Sequence, residues 1–527
     1  MLHHSRMIDA IEIKGDLDKL KNLVQAKRYA AELFEQLKTT IDTQQEKIDT
    51  LLFELQNLKR WRFGKKSESM DANKGAALDK KTEQAIVQEA HAEDRAAQAA
   101  RKNKSKSAVK KTPKRQPLPS QLKRVEHHYK VEQTHCDQGH ELKFMGHEIS
   151  EQLDCEPVVF FVHRHIRDNY CCPTCNTMVT ATLPAQVIDK GIAAPGLLAM
   201  VIIAKFEDHL PLYRQEAIGR RSGVNLARSS MASWIGECGV QLEPLAQLLR
   251  EHVFKQSVVH GDETPVKLLM PGSGKTHTAY SWAYRTSDLE TKERAVLFDF
   301  CMSRAGQNAR DMLQDYKGTL VVDDYSGYKA SFTSGEVLEA GCWAHVRRKF
   351  FEAHEHTQSE IAHEAVQRIR KLYDIEEQVR ECEPPERLRL RKEHSEPLLK
   401  DLKTWLQEQR AKLADADKTA KAINYALNRW EALERHINDA AVPIDNNAVE
   451  NAIRPIALGR KNWLFVGSQE AGERAATLMS LIESVKLNGH DSWTYLKDIL
   501  TKLPTWPNSR LEELLPHRWM PPSTEGI

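Results

Sequence analysis

At 527 residues, with 41% apolar and 28% charged residues, the chain is too long for one hydrophobic core and is expected to form two to four units. The longest apolar run, Leu197 to Ala204, is too short to span a bilayer, and no secretory signal opens the chain. Nine cysteines, an odd number, suit a reducing compartment, so membrane and disulfide-stapled secreted classes are excluded and a cytoplasmic address is expected.

The first element reads as a coiled coil. Phe34, Ile41, Ile48 and Leu55 recur every seven residues, and Leu37, Gln44, Leu51 and Leu58 form the companion row. This seam predicts self-association through paired helices, with Gln44 fixing register and Gly64 ending the helix. Residues 67–125 read as a polar linker with Ala-rich helical potential between Lys81 and Ala100. Its stretch from Arg101 to Arg124 carries ten Lys or Arg and no acid, which predicts disorder and suits an arm that meets phosphate through counterion release.

Next come Cys136 and His140, a strand-like segment from Val158 to His165, and then Cys171, Cys172 and Cys175. Cys172-Pro173-Thr174-Cys175 has the spacing of a zinc knuckle, which puts two thiolates on one ion. Cys136 is followed at that spacing by Gly139, so His140 or His135 would complete a Cys₃His set for Zn²⁺. Pro195 to Ala204 opens a buried helix, Pro211 to Ile218 forms a short one, Gly223 turns, and Ala227 to Gly236 starts another. Two short helices joined through a Gly-containing turn fit a helix-turn-helix, with Arg228, Ser229, Ser230 and Ser233 near the start of the DNA-reading helix. A three-helix cluster without a DNA role gives a similar pattern.

From Ser257 the pattern changes to strands. Val258-Val259-His260-Gly261-Asp262 is an apolar run expected to stop at a carboxylate, and Thr319-Leu320-Val321-Val322-Asp323-Asp324 ends the same way. Carboxylates sharing a pocket are costly to ionise together, and a divalent cation removes that cost. Between the two runs lie strands at Thr276 to Arg285 and Ala295 to Phe300 and a helix near Asn308 to Tyr316; Val337 to Gly341 offers a fifth strand. That order is the order of a ribonuclease-H-like core, in which the first and fourth strands lie side by side. Pro271-Gly272-Ser273-Gly274-Lys275-Thr276 ends like a phosphate-binding loop, but Leu269 stands where the motif needs glycine and a strand follows, so a hairpin turn is expected. A charged helical insertion then runs to about Asn438. Beyond it, Asp445 is placed to cap a helix on which Asn447, Glu450, Asn451 and Arg454 share one face.

With these stretches in view, the sequence resembles the transposases of the insertion sequence 66 family. The matching motifs are Asp262-Glu263-Thr264-Pro265, Asp323-Asp324-Tyr325-Ser326-Gly327-Tyr328, Cys342-Trp343-Ala344-His345-Val346-Arg347-Arg348-Lys349-Phe350 and Asn446-Asn447-Ala448-Val449-Glu450-Asn451-Ala452-Ile453-Arg454-Pro455. Gly459-Arg460-Lys461-Asn462-Trp463-Leu464-Phe465, the tail from Ser480 to Gly489, and Arg62 to Glu68 extend the resemblance over nearly the whole chain.

The resemblance implies an aspartate–aspartate–glutamate (DDE) triad at Asp262, Asp323 and Glu450 holding two Mg²⁺ (or Mn²⁺) ions. Where the family has Asp-Gly-Tyr, this chain has Asp323-Asp324-Tyr325, and strand alternation favours Asp323. It further implies cleavage and strand transfer on double-stranded DNA, both transposon ends and target, with Arg454, Arg460 and Lys461 contacting phosphate. His345 and Arg348 would line the site or serve the structure after the fifth strand. A homo-oligomer through the coiled coil is expected, with no membrane and with nucleoid association when DNA is bound; family members are often encoded beside accessory proteins, which leaves such partners open. The alternatives are a DNA-binding regulator with an inactive catalytic fold and a metal-dependent nuclease without strand transfer. The expected fold class is α/β: a coiled coil (1–66), a basic linker (67–125), a zinc-finger-like domain (126–190), a helical DNA-binding region (191–250), the catalytic domain (251–480, insertion at about 345–440) and a helical tail (481–527).

Overall fold

The computed structural model describes residues 92–96, 98–99, 118, 122–131, 135, 138, 140–156, 159–270 and 275–522. The expected coiled coil, most of the basic linker, Cys136 and the turn Pro271–Gly274 lie outside them.

Two sheets are present among the described residues. The first contains β1 (Arg124–Tyr129), β2 (Lys143–Glu156), β3 (Val159–Cys171) and β4 (Met178–Thr180). Its order is β1-β3-β2, with β4 also on β3, and β1 runs parallel to β3 while β2 is antiparallel. Three helices follow: α1 (Pro195–Phe206), α2 (Leu212–Arg221) and α3 (Arg228–Phe254). Gly223, at φ +75°, makes the turn between α2 and α3. The expectation of two short helices is corrected here. α3 is 27 residues long, because its apolar positions (Leu242, Leu245, Leu249, Val253) continue the helical period into the main core.

The second sheet holds β5 (Val258–Leu269), β6 (Thr276–Thr286), β7 (Val296–Cys301), β8 (Gly318–Val321) and β9 (Val337–Ala340), in the order β7-β6-β5-β8-β9. β5, β6 and β7 are antiparallel neighbours; β8 and β9 run parallel to β5. α4 (Gly306–Met312) provides the crossover to β8. β8 can approach β5 closely because Gly318 has no Cβ to meet the Ser257 carbonyl. β5 does not stop at Asp262 as expected. Its alternation continues through Thr264, Val266 and Leu268, all buried, and β6 pairs with it to Leu269. What ends near Asp262 is β8, whose pairing with β5 covers only Val258, Val259 and His260. Leu269 pairs with Thr276, so the glycine-rich segment between them joins two antiparallel strands.

The helical insertion begins immediately after β9, with α5 (Trp343–Thr357), α6 (Glu360–Val379), α7 (Pro384–Leu390), α8 (Glu396–Arg410), α9 (Lys418–Asn428) and α10 (Trp430–Glu434). It has its own apolar core around Trp343, Phe350, Ile369, Leu402 and Ile423. Arg391, fully buried between α7 and α8, pairs with Glu376 and donates to the carbonyls of His436 (2.7 Å), Asp439 (3.0 Å) and Val442 (3.1 Å). It thereby fixes the return of the chain to α11 (Asn447–Trp463), which is followed by α12 (Gln469–Leu487) and α13 (Ser492–Lys502).

α12 lies along β7. The Val296 N–H donates to Ser484 Oγ (2.9 Å) and the Phe298 N–H to Ser480 Oγ (2.8 Å), which satisfies the outward backbone of an edge strand. At the opposite edge Arg435 donates to the Glu339 carbonyl of β9 (2.7 Å), and the Gly341 N–H donates to Ala432 O (2.9 Å). Residues 92–96, within the part of the linker given helical potential, are helical, and Ala92 and Glu93 are buried. The Glu93 charge is tolerated because Arg474 donates to its Oε1 (3.2 Å). No helix among the described residues is long and apolar enough to cross a membrane.

Candidate active site

The register of the second sheet brings two acids together. His260 pairs with Val321 in the parallel β5–β8 ladder, so two residues further on Asp262 and Asp323 stand at matching positions. Glu450 comes from the first turn of α11, which packs on β5. Burial and the adjacent Glu263 push the Asp262 carboxyl up to about 8, with smaller contributions from Asp323 and Glu450 and against the opposing effect of the Glu263 N–H it accepts (2.8 Å). Asp323 accepts from the Tyr325 N–H (2.8 Å). Among the described residues neither Asp262 nor Asp323 has a basic side chain at ion-pair distance.

The second acid of each doublet is differently placed. Glu263, its side chain 1% exposed, accepts from Arg304 Nε (2.7 Å) and from the Tyr328 hydroxyl (3.3 Å). Asp324 lies 3.4 Å from Arg429 Nε and 3.2 Å from Lys329 Nζ. Both cations also meet Glu339 of β9, and Arg429 donates to the Asp323 carbonyl (3.0 Å).

Asn446 anchors the third acid. Buried between β5 and α11, its amide nitrogen donates to Gly261 O (2.9 Å) and its amide oxygen meets His260 Nδ1 (2.8 Å). Asn446 thus sits at the helix N-cap with its side chain committed elsewhere, and Asp445 supplies the acceptor for the Asn447 N–H instead (3.1 Å). Glu450 Oε1 is buried without a hydrogen-bond partner; His345 Nδ1 lies 3.7 Å away, and Arg348 is 3.6 Å from Oε2. Cys342, His345 and Glu450 bring one ligand atom each within 4.8 Å of one another. Cys342 Sγ already accepts the Asn446 N–H (3.2 Å), which leaves His345 and Glu450 as the pair facing the acids.

The other expected residues are distributed as follows. Arg460 donates to Pro265 O (2.8 Å) and Thr264 Oγ1 (3.3 Å), bracing α11 against β5; Arg454 and Lys461 are exposed. Arg228 begins α3 and pairs with Glu216 of α2 (3.1 Å), while Ser230 is half-buried one turn from the interhelical bend. A cavity of about 830 Å³ opens between α1, α2, α11 and α12, lined by Arg220, Arg228, Trp463 and Phe465 among others, and none of the three acids lines it. In the first sheet His140, Cys172 and Cys175 place ligand atoms within 4.8 Å of one another. The Cys175 thiol is lowered to about 6, chiefly by the Thr177 hydroxyl at 3.0 Å. Sequence reasoning missed Arg304, Arg429 and the role of Asn446. Asn446 lay within a quoted motif, whereas nothing local marks the two arginines.

An α/β protein that gathers three acids beside one sheet, with Arg304 and Arg429 turned to other acids, presents a set of oxygen donors of the kind that suits hard divalent cations. Comparison with known families is more specific. The model described as "Transposase IS66 family" matches residues 190–474, over half of the chain, and the IS66 C-terminal element matches 480–517. The zinc-finger binding domain of transposase IS66 matches 133–176, and the model described as "Transposase C of IS166 homeodomain" matches 50–126. Similar proteins from Sinorhizobium fredii (strain NBRC 101917 / NGR234) include the uncharacterized protein y4qI, 38% identical over 78% of this chain and 79% of its own length. Another is the uncharacterized protein y4hP, 33% identical over 82% of each chain. The chain belongs to the IS66 family of transposases.

Proposed function

We propose that the protein is a DDE transposase that binds the terminal inverted repeats of an insertion sequence and catalyses metal-dependent DNA cleavage and strand transfer in the cytoplasm, on the nucleoid. The observation that carries this reading is the meeting of Asp262, Asp323 and Glu450 without basic partners for the two aspartates. The strand order β7-β6-β5-β8-β9, antiparallel for the first three strands and parallel thereafter, supports a ribonuclease-H-like core. The donor set fits the ions: it is all carboxylate oxygen, and Glu450 Oε1 is a buried acceptor with nothing to accept. When bound, two Mg²⁺ (or Mn²⁺) ions supply charge neutralisation and polarisation at the reacting phosphodiester.

The chain's own residues do the positioning. Asp262 is held by β5, Asp323 by the Tyr325 N–H and the Arg429 contact to its carbonyl, and Glu450 by the Asn446 bridge to β5. Arg348 and the exposed Arg454 and Lys461 offer positive charge for the DNA backbone near this end of the sheet. Arg228 and Ser230 at the start of α3 are proposed for DNA contact, and His140, Cys172 and Cys175, with Cys136, for structural Zn²⁺. A homo-oligomer through the N-terminal heptads completes the reading. Asp262→Asn should abolish cleavage of duplexes carrying the element's ends while end binding persists. Cleavage by that variant would sink the triad assignment.

A further inference from the structure

A second cluster of ligating side chains lies outside the acid site and outside the cysteine knuckle. His252 is on the last turns of α3, Glu293 is in the loop between β6 and β7, and His517 is in the segment after α13. One ligand atom from each lies within 4.8 Å of the other two. Glu293 Oε2 is 3.9 Å from His252 Nδ1 and 3.9 Å from His517 Nε2. The imidazoles are stacked, with centroids 3.8 Å apart and planes at 22°.

Two features of this cluster point to a ligand. The His517 side chain is 0% exposed, and neither ring nitrogen has a hydrogen-bond partner among the described residues. Leaving both nitrogens buried and unpartnered is unfavourable unless a ligand meets them. His252 is oriented by a backbone group: its Nε2 meets the Glu293 carbonyl at 2.9 Å, which makes Nε2 the donor and leaves the Nδ1 lone pair facing Glu293 Oε2. A carbonyl that fixes the tautomer of a ring whose other nitrogen is free is the usual support of a metal-ligating histidine. Ligands of a tetrahedral ion stand roughly 3.3 Å apart, so closure asks Glu293, whose side chain is 52% exposed, to move inward and the two stacked rings to splay until both lone pairs aim at one point.

We propose that His252, Glu293 and His517 form a structural site for a borderline divalent cation, Zn²⁺ before others, with water in the fourth position. The ion ties the C-terminal segment to the end of α3 and to the β6–β7 loop. That loop in turn holds the start of β5, because Glu290 accepts the Ser257 and Val258 N–H groups (2.7 and 2.8 Å). The site therefore braces the start of the strand that carries Asp262.

The test uses the full-length protein carrying Cys172→Ser and Cys175→Ser, so that thiolate zinc does not mask the result. Zinc content by mass spectrometry after equilibrium dialysis is compared with and without His517→Gln, and separately Glu293→Gln, whose exposed side chain leaves folding intact. The expected result is one equivalent fewer with His517→Gln, and affinity at least about tenfold weaker with Glu293→Gln. Co²⁺ bound at the site should give visible bands without thiolate charge transfer, and Zn²⁺ should raise the melting temperature only where both histidines are present. Equal zinc content in all three proteins, or a melting shift that survives His517→Gln, overturns the proposal.

Discussion

Within β5 and just beyond β8 the chain carries the same local device, a pair of adjacent acids, and the fold treats the two members of each pair oppositely. Glu263 and Asp324 are met by Arg304, Arg429 and Lys329, whereas Asp262 and Asp323 are left facing one another and Glu450. Alternation alone does not explain this. Arg429 arrives from the helical insertion, where its side chain is 5% exposed, and it reaches Asp324 and Glu339 while touching Asp323 only through the backbone. The contrast teaches that negative charge at the sheet end is arranged: acids that shape the scaffold are neutralised within the chain, and those left over share a field that a cation relieves.

The largest expected effect tests the unpaired members. Asp262→Asn or Asp323→Asn should lower cleavage of end-containing duplexes by roughly a thousandfold or more, with gel-shift affinity for the ends retained. Glu263→Gln should instead act on stability. It strips Arg304 of its charged partner at a buried position, costs about 2 kcal/mol in chemical denaturation, and leaves the folded protein able to cleave. An inactive but fully stable Glu263→Gln would break the distinction at β5.

Smaller effects sharpen it. In metal-free protein the Asp262 carboxyl is pushed up from 3.8 to about 8, so the folded state holds its proton where the unfolded state has released it. The penalty for ionising it is absent below about pH 4 and complete above about pH 8, so the melting temperature should fall across that window. Asp262→Asn or saturating Mg²⁺ should flatten that slope, and a slope unchanged by Asp262→Asn would assign it to another group. Smallest of all, Asp324→Asn should leave cleavage within about threefold of wild type, since its partners are shared with Glu339 and partly exposed. If Asp324→Asn matched Asp323→Asn, the choice at β8 would be reversed.

Much of this sheet was legible in the residues. Strand periods at Val258, Thr276, Val296, Gly318 and Val337 fall where the strands are; two apolar runs and one helical face singled out the three acids, and the family resemblance joined them into a triad. The extent of β5 was misread because a carboxylate after four apolar residues looks like a strand end. Only the partner strands reveal that β6 continues while β8 stops. The length of α3 was misread for a related reason: its first turns carry the turn signal, and its remaining period belongs to a core assembled from distant segments. Arg304 and Arg429 were beyond sequence reasoning, since one lies 41 positions from Glu263 and the other 106 from Asp323. The burial of Glu93 had no local signal, because its partner, Arg474, is 381 positions away.

The serines of α12 and Arg435 of the insertion have a consequence for how subunits can meet. An exposed strand edge is a template onto which any extended chain can add. Here Ser480 and Ser484 occupy that template along β7, and Arg435 and Ala432 occupy it along β9. Growth of the sheet from copy to copy is thus opposed at both flanks, and any contact between copies is left to side-chain surfaces. Ser480→Ala combined with Ser484→Ala should unbar one flank, seen as light scattering that rises with protein concentration.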